Sequence, residues 1–276
     1  MMTGMRLLGL IALLAACGGD APPMRTKTFG GDRPVDLQTP ATLTEGKQYP
    51  LLVVLHGFGA NGFVQSAYFH TSDLVTQDMA FVVAPDGTPN SAGRLFWNAD
   101  PYCCDFENIN PDDVGYIGGL IDDISAEWPV DKDAVFVLGH SNGGYMAYRM
   151  ACDRADVIAA IGSLAGDAAS TTCTPTQHVA VAHLHGTADT TVPYAGAGPS
   201  VMKWAGYNGC GTERTVTNTI DLDDAISGAE TQQEVTMGCP ADGDVELWTM
   251  NGSTHIPSLN AGFAVTMMNW FLAHKR

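Results

Sequence analysis

Positive charge is scarce in this 276-residue chain: Lys and Arg total 13 against 30 Asp and Glu, a formal charge of −17 at pH 7. A surface so acidic repels phosphate backbones and anionic headgroups, which argues against nucleic acid as a partner and for a neutral substrate. Long apolar runs are missing too. The run Leu7–Ala16 is ten residues long, too short for a hydrocarbon core of about 30 Å. Internal repeats and Pro/Ser-rich linkers are absent, so nothing announces a second domain, and the length suits one core of α/β type. A monomer without cofactor or metal is expected. His183 and His185 share one strand face, but no third ligand lies nearby in the sequence.

The short apolar run has a different use. Arg6 precedes it and Leu14-Ala-Ala-Cys17 closes it, the layout of a signal peptide over residues 1–16. Its end resembles a bacterial lipobox, which makes Cys17 the first mature residue and a lipidation site, with ordinary cleavage near Ala21 as the alternative. Residues 17–30 then read as a tether and 31–276 as the catalytic domain, held by a lipid anchor in the bacterial cell envelope or released outside the cell. The cysteine count agrees with export. Beyond Cys17 there are six, Cys103, Cys104, Cys152, Cys173, Cys210 and Cys239, an even number that suits three disulfides. The stretch 211–244 is polar and poorly periodic, and it is expected to be an excursion closed by a Cys210–Cys239 bridge. Cys103 and Cys104 are expected to take one each of Cys152 and Cys173.

Buried strands alternate with amphipathic helices along the rest of the chain. Residues 48–55, 79–84, 134–138, 157–164, 179–184 and 245–249 are apolar runs of strand length. Asp112 or Asp113 caps a helix reaching Trp128, and helices are expected over 143–150, 199–207 and 261–274. Such alternation implies a single doubly wound, mostly parallel sheet with no separate lid domain.

One turn in this pattern carries chemistry. Gly139-His-Ser-Asn-Gly143 follows the strand 134–138 and precedes the helix 143–150, the strand–turn–helix elbow of an α/β-hydrolase. Such a turn lifts Ser141 Oγ above the sheet at a helix N-terminus, where partial positive charge favours a developing anion. His140 is expected to point away as a packed structural residue. Ser141 needs an imidazole and a carboxylate, which follow it in that order of chain: Ser, acid, His. His255 lies in the loop before the last helix, whereas His178, His183 and His185 come too early and His274 sits at the end of that helix. Asp189 follows the strand 179–184 at the sheet's carboxyl edge, with Asp167 as the alternative acid. The backbone N–H groups of Asn142 and Phe58 should form the oxyanion hole. Trp97 either walls the substrate cleft or lies buried under its loop, and Ile256 flanks the candidate base.

Together these residues resemble the secreted polyhydroxybutyrate depolymerase and feruloyl esterase-like family, close to carbohydrate esterase family 1. The resemblance runs from about Arg33 to the C-terminus. It rests on His56-Gly57, Cys103-Cys104, Asp112-Asp-Val-Gly-Tyr-Ile117, Gly139-His-Ser-Asn-Gly-Gly144, Leu184-His-Gly-Thr-Ala-Asp189 and Asn208-Gly-Cys210. It implies an α/β-hydrolase fold, a triad of Ser141, Asp189 and His255, structural disulfides, and acyl-enzyme hydrolysis of hydroxyalkanoate oligomers or of acetyl or feruloyl esters. Two positions depart from the pattern: Ile256 stands where relatives carry an aromatic residue, and Phe58 where they often carry Cys. A peptidase of the same fold would need a gating or amine-binding domain, for which the length leaves no room. A catalytically silent binding scaffold normally lacks one member of the triad, and here all three are present.

Overall fold

Strand Tyr49–Leu55 (β3) illustrates how the core is divided. Every residue in it is buried; Leu51, Val53 and Leu55 enter one apolar cluster, while Leu52 and Val54 enter the other. Two-sided burial of a strand requires helices on both faces. The computed structural model describes residues 27–168 and 172–276 and meets that requirement. The expected signal peptide, Cys17 and the tether up to Thr26 lie outside the described residues.

The sheet begins with β1 (Lys27–Phe29) and β2 (Val35–Gln38), followed by β3. The helices α1 (Gly62–Tyr68) and α2 (Ser72–Thr76) lead to β4 (Phe81–Val83), and β5 (Thr88–Pro89) and β6 (Leu95–Phe96) form a separate two-stranded ribbon. Then come α3 (Asp113–Glu127), β7 (Val130–His140), α4 (Asn142–Asp153), β8 (Ala160–Leu164) and β9 (Ala180–Gly186). The chain closes with α5 (Ala197–Asn208), β10 (Arg214–Ile220), β11 (Thr231–Thr236), β12 (Val245–Met250) and α6 (Phe263–Ala273). The main sheet has the order β1-β2-β4-β3-β7-β8-β9-β12-β11-β10. Strands β4 through β12 of that order run parallel, and antiparallel ribbons extend both edges.

Helices α3, α4 and α5 cover one face through Ile117, Ile121, Met146, Met150 and Trp204. Helices α2 and α6 cover the other through Leu74, Met267 and Phe271. From β3 the chain moves outward to β4 on one side and returns to β7 on the other. The loops after β3 and β7 therefore diverge at a topological switch point, where open α/β sheets form their crevice.

Three expectations need correction here. Lys27–Phe29 pairs with β2, so the ordered domain starts inside the stretch assigned to the tether. The stretch 211–244 is no featureless excursion. It forms β10 and β11, a hairpin added to β12. Finally, Cys103 pairs with Cys104, and Cys152 with Cys173 at a Cα separation of 5.7 Å, within the normal span of a disulfide. Cys152 lies near the end of α4 and Cys173 in the loop after β8; they meet in the helix-covered face, away from the loop that carries the adjacent pair. The Cys210–Cys239 bond is present as expected.

Candidate active site

Four strand ends supply the site. Strand β7 delivers Ser141 at φ 53°, ψ −120°, a left-handed conformation that costs a non-glycine residue about 1–3 kcal/mol. The surrounding packing holds it. A Cβ on Gly143 would fall 2.1 Å from Leu55 O, and one on Gly139 would fall 2.0 Å from Gly143 O. These glycines let the elbow's backbone approach β3 and itself. Gly143→Ala is therefore expected to cost about 2 kcal/mol or more. Gly119→Ala on α3, where a Cβ meets nothing within 4 Å, should instead gain about 0.5–1 kcal/mol. Urea midpoints of the two variants check both signs.

The histidine loop after β12 brings His255 to Ser141: its Nε2 lies 2.9 Å from Ser141 Oγ and its Nδ1 2.7 Å from Asp189 Oδ2. The other carboxylate oxygen accepts the N–H groups of Thr191 and Val192 at 2.8 and 2.9 Å. An ionised carboxylate only accepts, so Nδ1 carries the proton and Nε2 is left with its lone pair toward the serine hydroxyl. That is the tautomer a general base requires. Asp167, the alternative acid, instead accepts from Ser200 Oγ at 2.8 Å.

The candidate oxyanion donors are two backbone amides, each at the head of a strand-following segment. Asn142 N–H is the first of α4 and precedes that helix's own hydrogen bonding. Phe58 N–H lies between Gly57 N–H, which donates to Gln65, and Gly59 N–H, which donates to Leu95 O. Buried His56 fixes the loop. Its Nε2 accepts from Gly87 N–H, so its Nδ1–H donates to Gly57 O. Burial lowers its pKa and favours the neutral ring that this pattern needs.

Trp97 is not in the cleft. It is 0% exposed, and its indole N–H donates to His56 O at 3.1 Å. Asn142 shows why: its carboxamide spans the Trp97 backbone, accepting from N–H at 2.7 Å and donating to C=O at 2.9 Å. The side chain of Asn142 thus anchors the Trp97 loop, a role that residue type alone did not indicate. Exposed apolar groups lie instead on two of the segments that carry the candidate site residues. Ile256 beside His255 is 64% exposed, and the ring of Phe58 meets that of Phe106, 68% exposed, at 5.6 Å. The candidate cleft residue Ile256 is therefore an exposed side chain next in sequence to His255.

His140 also departs from expectation. Rather than pointing away, it donates from Nε2 to His255 O at 2.8 Å, with the two rings 5.1 Å apart. Burial brings its pKa down to about 4, so the ring is neutral. The same loop is held at Pro257 O by Tyr68 and at Ser258 N–H by Asp223. Asp113 is likewise not the cap of α3; Asp112 is, through Gly115 N–H. Asp113 is buried against Arg33 and accepts Asn98 N–H, tying down the loop beyond Trp97.

A family model described as phospholipase/carboxylesterase matches residues 42–200, more than half of the chain. The chain belongs to this family. Its members are ester hydrolases by name, and the matched segment holds the strands that carry Phe58, Ser141 and Asp189. Among relatives of the chain, feruloyl esterase B of Piromyces equi is 28% identical over 81% of the chain and 42% of the relative. A poly(3-hydroxybutyrate) depolymerase of Ralstonia pickettii is 32% identical over 48% of the chain and 28% of the relative. The matched region spans less than half the length of either relative. Both names are those the motifs resemble. The acetyl xylan esterase of Aspergillus awamori superposes with a TM-score of 0.67 at 16% identity, covering 91% of the chain and 99% of that structure, which shows a shared α/β-hydrolase fold.

Proposed function

We propose that the chain is an exported serine carboxylic-ester hydrolase that works through an acyl-enzyme on Ser141. The observation that carries this is the unbroken hydrogen-bonded line Ser141–His255–Asp189 at the carboxyl edge of the sheet. Ser141 Oγ attacks the ester carbonyl as its proton passes to His255 Nε2, and the amides of Asn142 and Phe58 stabilise the oxyanion. The alcohol leaves with the proton from His255; water then repeats the cycle and frees the acid. Asp189 stays ionised and stabilises the imidazolium.

The exposed apolar side chains of Phe106, beside Phe58, and of Ile256, next to His255, favour a substrate with an apolar acyl or alcohol portion, and the acidic chain favours a neutral one. Hydroxyalkanoate oligomers and acetyl or feruloyl esters meet both conditions, and relatives are named for such substrates. Three disulfides suit an oxidising compartment outside the cytoplasm. Lipid attachment at Cys17 and a monomeric state complete the proposal.

A fluorophosphonate probe should label Ser141 in the purified chain, mapped by peptide mass. A panel of p-nitrophenyl acetate, methyl ferulate, acetylated xylan and hydroxybutyrate oligomers should then rank the esters. A folded chain that neither takes the label nor hydrolyses any of the four would contradict the reading.

A further inference from the structure

Behind Asp189 runs a second line of imidazoles that the acyl-transfer steps do not use. Alternation along β9 puts His183 and His185 on the same face, and both are fully buried. Tyr148 on α4 places its hydroxyl 2.8 Å from His183 Nδ1, His183 Nε2 lies 3.0 Å from His185 Nδ1, and His185 Nε2 lies 2.9 Å from Val192 O. His185 Nε2 is also 3.3 Å from Asp189 Oδ2, the oxygen that takes His255 Nδ1–H.

The direction of this chain follows from its last member. A carbonyl oxygen only accepts, so His185 Nε2 carries hydrogen. If both rings are neutral, His185 Nδ1 is then an acceptor, His183 Nε2–H is its donor, His183 Nδ1 is an acceptor, and the Tyr148 hydroxyl donates. Every polar atom on the two rings is satisfied in this one arrangement. Reversal would point a lone pair of His185 at Val192 O. Burial favours the neutral form of both rings.

We propose that His185 is a positioning residue for the candidate catalytic acid, held in its Nε2–H tautomer by His183 and Tyr148. Val192 is gripped from two sides: its C=O takes His185 Nε2–H, and its N–H donates to Asp189 Oδ1. The grip fixes the turn 189–192 and thereby the direction of the carboxylate toward His255. Neutrality matters as much as position. A second proton on His185 would displace the His183 donor and put a cation 3.3 Å from Oδ2, where it would compete with the His255 imidazolium for the same negative charge. The groups facing His185 are His183 on β9, Asp189 and Tyr194 on the following turn, His255 on its loop and, acting electrostatically, Asp167 after β8, with Tyr148 one link beyond.

The inference rests on the Ser141–His255–Asp189 mechanism, and the test keeps the two apart. In the wild-type protein, nitrogen-15 NMR of labelled histidines at pH 7 should find His183 and His185 each protonated at Nε2 and bare at Nδ1. An Nδ1–H or doubly protonated His185 overturns the proposal. His185→Leu should lower kcat on p-nitrophenyl acetate about 10–100-fold with KM within about twofold, because a misaimed acid costs rate rather than binding. His185→Gln, which restores a side-chain N–H near the Nε2 position, should recover most of that loss. Wild-type kcat in folded His185→Leu, or a folded His185→Gln no faster than His185→Leu, overturns it as well. Should His185→Leu fail to fold, the NMR result and His185→Gln still decide. Wild-type turnover that survives Ser141→Ala would refute the mechanism instead, leaving the tautomer measurement readable.

Discussion

Ser141→Ala is expected to lower kcat/KM for p-nitrophenyl acetate by about 10⁴-fold or more while far-UV circular dichroism and the melting temperature stay close to wild type. The hydroxyl contributes one hydrogen bond, to His255, and supports none of the sheet. Alanine does not relieve the left-handed backbone at position 141, so the strain there is unchanged. His255→Ala should cost nearly as much. The informative result is the double variant. In the proposed mechanism serine and histidine act on a single proton, so removing the second partner after the first should add less than about tenfold. Losses that multiply would mean the two residues serve separate steps. Residual activity above the background of water is expected in all three variants, because the Asn142 and Phe58 amides remain in place. An activity in Ser141→Ala equal to wild type would assign hydrolysis to another nucleophile.

The elbow was legible because three constraints coincide at 139–143: a two-sided apolar strand, a turn whose glycines lack room for Cβ, and an amphipathic helix. His255 and Asp189 could be found by chain order, since both follow buried strands of the same sheet. Other features left no local signal. Strand β10, Arg-Thr-Val-Thr-Asn-Thr-Ile, is largely exposed on both faces at the sheet edge, so it has no alternation to read. The vicinal Cys103–Cys104 bond carries no spacing signal, since disulfides ordinarily join residues distant in sequence, and Cys152 and Cys173 meet only through the fold. The grip of His140 on His255 O joins residues 115 positions apart, and the carboxamide of Asn142 reaches back 45 positions to Trp97. Each is a long-range hydrogen bond made by a polar side chain, whose type says that it needs a partner without saying which.

Those same buried imidazoles make the fold sensitive to acid. His56, His140, His183 and His185 all have folded-state pKa values below the ordinary 6.5, with burial as the leading cause in each. The sign follows from proton uptake. Below pH 6.5 the unfolded chain binds protons that the folded chain excludes, so stability is full above that value and falls as pH drops toward the folded-state values. For His140 the gap from 6.5 to about 4 is worth ~3 kcal/mol at about 1.4 kcal/mol per pH unit. The buried pair His183 and His185 adds loss in the same direction. Against a total stability of about 5–15 kcal/mol, a loss of this size is a substantial fraction of what holds the chain folded. Urea midpoints at pH 7, 5.5 and 4.5 should decline steadily, and His140→Gln, with no ring to titrate, should decline less steeply. A midpoint that holds constant from pH 6.5 to 4.5 would mean that these rings reach water or a partner able to take up the charge.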